Sequence, residues 1–207
     1  MNTSASSRSL KRIWSNVQPD AVLSLFRSVG ALLEGHFRLS SGLHSNGYMQ
    51  SALVLQHPDH AAALGRALAD AVRALNPEVV LSPALGGLII GHEVARALGV
   101  RAIFAERVDA VLTLRRGFSL ARAERVLVVE DVVTTGKSTR ETIAVAEAAG
   151  ALVVGAAGII NRGGEVDLGV PFTALATVSF PTWPADQLPD WLAAVPVTKP
   201  GSRPGPK

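Results

Sequence analysis

The sequence predicts an α/β fold, doubly wound, with a mainly parallel central sheet flanked by helices. Three observations carry this. Glu78–Leu81, Arg125–Glu130 (RVLVVE) and Ala151–Ile160 are short, nearly continuous apolar runs, the pattern of strands buried on both faces. Helical stretches separate them, one through Leu98 closed by Gly99 and one over about Ser138–Ala149 closed by Gly150. Strand–helix–strand alternation of this kind implies parallel neighbours joined by right-handed crossovers.

The remaining elements follow in chain order. Asp20–Leu33 carries apolar residues at Val22, Leu23, Leu25, Phe26, Val29, Leu32 and Leu33, which is helical spacing. Gly35–Gln50 (GHFRLSSGLHSNGYMQ) is polar and glycine-rich and suits a pair of short strands joined by turns. Pro58–Leu75 is an alanine-rich helix, Ala102–Ala105 a further short strand, and Glu106–Gly117 a charged loop. No internal repeat is present.

Composition bounds the function. The chain has 207 residues, 48% of them hydrophobic and 18% charged, enough for one domain with a sizeable core. We expect that domain over residues 19–198, after a flexible leader (1–18) and before a flexible tail (199–207, KPGSRPGPK). There is no cysteine, which excludes disulfides, thiolate metal sites and a thiol nucleophile and fits a cytoplasmic protein. The longest apolar stretch is about half of the roughly twenty residues a membrane span needs, and MNTSASSRSLKR lacks the apolar core of a secretory signal. A formal charge of only +3 with no added domain argues against a nucleic-acid partner. Only four of the twenty basic residues are lysine; the arginine excess reflects coding bias or a surface that grips phosphates and carboxylates.

The chemistry concentrates at Glu130–Ser138. Two acids, Glu130 and Asp131, stand where the RVLVVE strand ends, and ligands of open α/β sheets bind outside the carboxyl ends of strands. Val132 and Val133 lead on to Thr134, Thr135, Gly136, Lys137 and Ser138 at the start of a helix. Hydroxyls and unpaired backbone N–H groups converge there, Gly136 permits close approach, and the helix N-terminus favours an anion. A capping box at Ser138–Glu141 explains the helix start but leaves the paired acids and paired threonines without a purpose. A nucleotide-triphosphate loop needs glycine where Asp131 stands, and no GxGxxG follows any strand. An acid pair binds hydroxyls and the cradle beside it binds a phosphate; a ribose 5-phosphate satisfies both.

VLVVEDVVTTGKS (Val126–Ser138) resembles the donor-binding signature of type I phosphoribosyltransferases. From about Val22 to Arg203 the chain resembles the orotate phosphoribosyltransferases. The resemblance is carried by FRLSSGLHSNGYMQ (Phe37–Gln50), SPALGGLIIGHEVARALG (Ser82–Gly99), FAER and TLRRGF within Phe104–Phe118, INRGG (Ile160–Gly164), GVPFTALATV (Gly169–Val178) and KPGSR (Lys199–Arg203).

The resemblance implies transfer of ribose 5-phosphate from phosphoribosyl diphosphate to orotate with magnesium, in pyrimidine synthesis. It implies a small hood formed largely by the N-terminal segment (about 34–56) over a core of about 60–180, and a homodimer. Residues Glu130, Asp131, Val132, Val133, Thr134, Thr135, Gly136, Lys137 and Ser138 would bind the donor, with Asp131 also catalytic and Lys137 at a variable position. Thr134 and Arg162 would contact orotate, Arg162 through its carboxylate. Ser82–Gly87 would be the diphosphate turn. Glu106–Gly117 would be a mobile loop reaching the neighbouring subunit's site, where Arg107, Arg115 and Arg116 clamp diphosphate. Many relatives carry lysines in that loop and in the first glycine-containing segment; here stand arginines in the one and Ser40 and Ser41 in the other.

No metal ligand is expected from the protein: magnesium would sit on donor oxygens and water, and the histidines lack metal spacing. His36 and His44 belong to the hood, His57 and His60 read as helix-start surface residues, and His92 as packed on its helix. A purine-type phosphoribosyltransferase shares the donor loop without the Phe37–Gln50 and INRGG segments. A non-enzymatic regulator binding phosphoribosyl diphosphate would need a nucleic-acid surface as well.

Overall fold

The computed structural model describes residues 18–39 and 41–199. Ser40 and nearly all of the expected leader and tail lie outside the described residues.

The chain opens with α1 (Pro19–Ser28), β1 (Leu32–Arg38), β2 (His44–Met49), the short α2 (Ala52–Leu55) and α3 (Pro58–Val72). The core continues through β3 (Val79–Pro83), α4 (Gly87–Leu98), β4 (Arg101–Val108), β5 (Val111–Leu114), β6 (Arg125–Val133), α5 (Lys137–Ala148), β7 (Leu152–Asn161) and β8 (Phe172–Thr177). It closes with β9 (Thr182–Trp183), α6 (Asp190–Ala193) and β10 (Val197–Thr198).

A six-stranded sheet runs β5-β4-β3-β6-β7-β8, parallel throughout except for β5, which is antiparallel to β4. Side chains alternate across it, as strand geometry requires. Val80, Leu127, Val129, Ala157 and Ile159 pack into one core with α1, α3 and α4. Val79, Leu81, Val126, Val128 and Ala156 pack into a second, under α5 and β5. The expected doubly wound α/β sheet is thus what the chain forms. Each fully buried leucine or isoleucine contributes about 1.5–3 kcal/mol. Small residues set the closeness of the layers: a Cβ on Gly65 of α3 would lie 2.8 Å from the Glu93 carbonyl carbon of α4.

Four shorter strands, in the order β10-β1-β2-β9, form a second sheet over the core. β1 and β2 are an antiparallel pair, and β9 and β10 join from beyond residue 181.

Several local expectations need correction. The first helix stops at Ser28 rather than continuing to Leu33; Gly30 turns with φ +68° and Leu32 and Leu33 begin β1. Glu106–Gly117 is largely a β-hairpin rather than a loop, because Asp109 and Ala110 take φ of 48° and 70° and return the chain onto β4 in register Val108 to Val111. Strand β6 runs on to Val133, so Glu130 and Asp131 lie within it. Gly136, at φ +74°, caps α5. Ser138 sits inside the helix and makes no capping-box bond.

Candidate active site

Strand order reverses between β3 and β6, since β4 follows β3 outward on one side and β7 follows β6 on the other. Crevices at the carboxyl ends of two such strands are where open sheets bind ligands. A cavity of about 390 Å³ opens there, lined by all of Glu130–Thr139 and by Pro83, Ala84 and Gly86 of the turn after β3. The two loops touch: a Cβ on Gly86 would lie 2.7 Å from Oδ1 of Asp131.

The two acids differ sharply. Glu130 is 7% exposed; burial, reinforced by the neighbouring Asp131 charge, drives its carboxyl well above the usual range. Its Oε1 accepts the Asp131 N–H at 3.1 Å. Asp131 is half-buried, and its Oδ1 accepts the Val132 N–H at 2.8 Å while its Oδ2 accepts the hydroxyl of buried Ser51. The buried carboxyl and its half-buried neighbour therefore stand in different environments within one site.

The cradle is held from behind. Arg140 of α5 donates to the Thr135 carbonyl at 2.8 Å and to the Asp167 carbonyl at 2.9 Å. Gly136 has no room for a side chain, because a Cβ would meet Val166 and Leu168 at 2.7 Å. The first N–H groups of α5 lack partners within the helix by its geometry, and Ser138 and Thr139 line the cavity.

Arg162 follows β7 and adjoins the cradle, its N–H donating to the Val133 carbonyl at 2.7 Å. Asn161 fixes the turn around it by accepting from the Gly163 N–H at 3.0 Å and donating to the Gly164 carbonyl at 2.7 Å. Partial burial pulls the Arg162 guanidinium down, opposed by the Tyr48 phenol. Tyr48 of β2 is pushed up by its own burial, against the pull of Arg162, with Asp131 adding to the rise. Asp131, Arg162 and Tyr48 thus share one electrostatic neighbourhood.

The hairpin arginines lie elsewhere. Arg107 pairs with Glu141 of α5 and donates to the Ala110 carbonyl at 2.7 Å. Arg116 donates to Glu106 at 3.0 Å, and Arg115 stands 3.9 Å from the same carboxylate. Within one chain these arginines do not line the cavity. Lys137 is 78% exposed and lies 3.9 Å from Glu141. His92 is exposed rather than packed. His36 and His44 form a buried pair, Nε2 of the former to Nδ1 of the latter at 2.6 Å. Ser51 and Arg140 escaped the sequence reading; their partners lie far along the chain or are backbone carbonyls, and no spacing rule marks either.

The sequence profile of the phosphoribosyl transferase domain matches residues 51–168. An orotate phosphoribosyltransferase of Erythrobacter litoralis (strain HTCC2594) is 54% identical over 188 residues, covering 89% of this chain and 97% of that protein. The orotate phosphoribosyltransferase of Pelotomaculum thermopropionicum (strain DSM 13744 / JCM 10971 / SI) is 50% identical over 185 residues, covering 89% and 97%. Among solved structures, orotate phosphoribosyltransferase from Aeropyrum pernix superposes with a TM-score of 0.61 at 25% identity, covering 75% of this chain and 93% of that one. The Mycobacterium tuberculosis H37Rv enzyme in complex with 5-phospho-alpha-D-ribosyl 1-diphosphate shares the fold at a TM-score of 0.61 and 23% identity, covering 75% and 95%. The chain belongs to the phosphoribosyltransferase family, in its orotate phosphoribosyltransferase branch.

Proposed function

We propose that this chain transfers ribose 5-phosphate from phosphoribosyl diphosphate to orotate, giving orotidine 5′-phosphate and diphosphate in pyrimidine (UMP) synthesis. The observation that carries the reading is the single cavity in which an acid pair and a hydroxyl-rich helix start lie side by side, joined through a backbone hydrogen bond to the strand end that bears Arg162. The ribose diol meets Asp131 and Glu130, and the 5-phosphate meets Thr134–Ser138. Arg162 takes the orotate carboxylate as a two-pronged donor, and Thr134 stands between the two reactants.

No nucleophilic side chain is required. Diphosphate leaves as positive charge develops on the ribose, so the protein holds the reactants in place and neutralises the departing anion. Among the described residues no group of three or more His, Cys, Asp or Glu is arranged to hold a metal. Magnesium would be carried on the donor's own oxygens and waters, where it would neutralise diphosphate charge.

Arg107, Arg115 and Arg116 are assigned to the leaving diphosphate of a neighbouring subunit in a homodimer. None of the three lines its own chain's cavity, and the Val108–Val111 turn is exposed, as a reaching hairpin must be; both support that assignment. The cysteine-free sequence agrees with a cytoplasmic setting. Among the described residues no helix is long and apolar enough to cross a membrane.

The deciding assay follows orotate absorbance with purified protein, phosphoribosyl diphosphate and magnesium. Loss of absorbance with equimolar diphosphate release is expected. Consumption of a purine base with orotate untouched would overturn the acceptor assignment.

A further inference from the structure

Ser51 has no part in the chemistry described above, yet it makes the most pointed side-chain contact to the donor acids. It is 3% exposed and stands at the N-cap position of α2, two residues after β2. A serine at that position ordinarily spends its hydroxyl on the backbone of its own helix. Here it makes no such bond; its carbonyl alone serves the helix, accepting from Val54 at 3.0 Å and Leu55 at 2.9 Å. The hydroxyl donates instead to Oδ2 of Asp131, 80 positions away.

The Asp131 carboxylate is thereby held on three sides. Ser51 takes Oδ2, the Val132 N–H takes Oδ1 at 2.8 Å, and the Gly86 backbone closes off the region where a Cβ would come within 2.7 Å of Oδ1. An ionised carboxylate accepts about four hydrogen bonds, so lone pairs remain for a ligand in the cavity, and their direction is set by these contacts. Ser51 also lies three residues after Tyr48, on the segment that carries the hood into the core. We propose that Ser51 is a positioning residue of the donor site: its hydroxyl fixes Asp131 in the rotamer that presents its free lone pairs to the ribose diol, and it anchors the exit of the hood strand to that acid. This rests on the donor role of Asp131 proposed above.

The test uses the full chain and three substitutions. Ser51→Ala and the near-isosteric Ser51→Cys, a weak donor, should each raise the KM for phosphoribosyl diphosphate about tenfold, the scale of one hydrogen bond to a charged group. The orotate KM and kcat should stay within about twofold, and Ser51→Thr, which keeps the hydroxyl, should recover most of the donor affinity. Unchanged donor KM in Ser51→Ala and Ser51→Cys would overturn the proposal. So would parallel losses in donor KM, orotate KM and Tm in all three variants, which is the pattern of a packing defect. Calorimetric titration of phosphoribosyl diphosphate into wild type and Ser51→Ala separates this from the choice of acceptor: failure to turn over orotate sinks the function reading, while equal donor affinity in the two proteins sinks the role of Ser51.

Discussion

Gly163 packs directly against Thr134: a methyl group on its Cα would overlap the Thr134 carbonyl oxygen and lie 2.8 Å from the carbonyl carbon. The strand end that carries Arg162 and the loop that opens at Thr134 are therefore in backbone contact, and neither can shift alone.

Gly163→Ala should displace the cradle, lowering kcat/KM by at least about tenfold and raising the KM of both substrates, because a small misplacement of aligned groups costs heavily in rate. Gly164→Ala is the control: Gly164 has φ +70° and open space around it, so its cost is the roughly 1–2 kcal/mol of left-handed strain. Steady-state kinetics and Tm on the two proteins check this; equal kinetics would show that the Gly163 contact does not set the loop.

The unequal acids give a second expectation. Asp131→Asn removes a carboxylate oxygen from the proposed diol contact and should raise donor KM or lower kcat about 10- to 100-fold, the worth of strong hydrogen bonds. Glu130→Gln keeps the shape of a side chain whose charged form burial disfavours and should stay within about fivefold. Lys137→Ala, at an exposed side chain, should have little effect. Loss of turnover in Lys137→Ala would reverse the reading of the cradle.

The hairpin arginines predict complementation. Arg162→Ala and the double variant Arg115→Ala, Arg116→Ala should each lose most activity. Mixed under conditions of subunit exchange, they should recover up to about a quarter of wild-type activity per site, since a dimer pairing both variants retains one intact site. No recovery despite proven exchange would place the hairpin over its own subunit's cavity.

The hood predicts a pH effect on stability. Burial, with the neighbouring His36 and Arg38, lowers the pKa of His44 from 6.5, and His36 in turn meets the Val195 carbonyl at 2.9 Å. Between the lowered and ordinary values the unfolded chain binds more protons than the folded one, so stability rises with pH through that window. It is complete above the ordinary value and falls away as pH drops through the folded one. His60 shifts in the same sense by burial. Tm measured from pH 8 to pH 5 should therefore fall less steeply in His44→Gln than in wild type; an unchanged slope would contradict the assignment.

Much of this was legible in the sequence because the signals are local. Apolar runs at Val79–Leu81 and Val126–Val129 mark the central strands, Gly99 marks the end of α4, and the residues from Glu130 to Ser138 that form the cradle are contiguous. What escaped depends on distant or atypical partners. Leu32 and Leu33 fit a helical stripe equally well until Gly30 breaks it. Asp109-Ala110 makes a tight hairpin turn without the Asn-Gly signal that usually announces one. The two-residue strands β9 and β10 exist only because β1 and β2 offer them edges. Ser51 carries no local signal at all, and its role shows only when the fold brings Asp131 beside it.

The hood sheet gathers its four strands from both sides of the core in the chain, two before residue 50 and two after residue 181. During synthesis the cavity lining and the Val166–Leu168 segment that backs it emerge before β9 and β10, so β1 and β2 keep open edges until the chain passes residue 182. Assembly thus has a built-in sequence, in which every residue of the cavity is available before the second sheet can close.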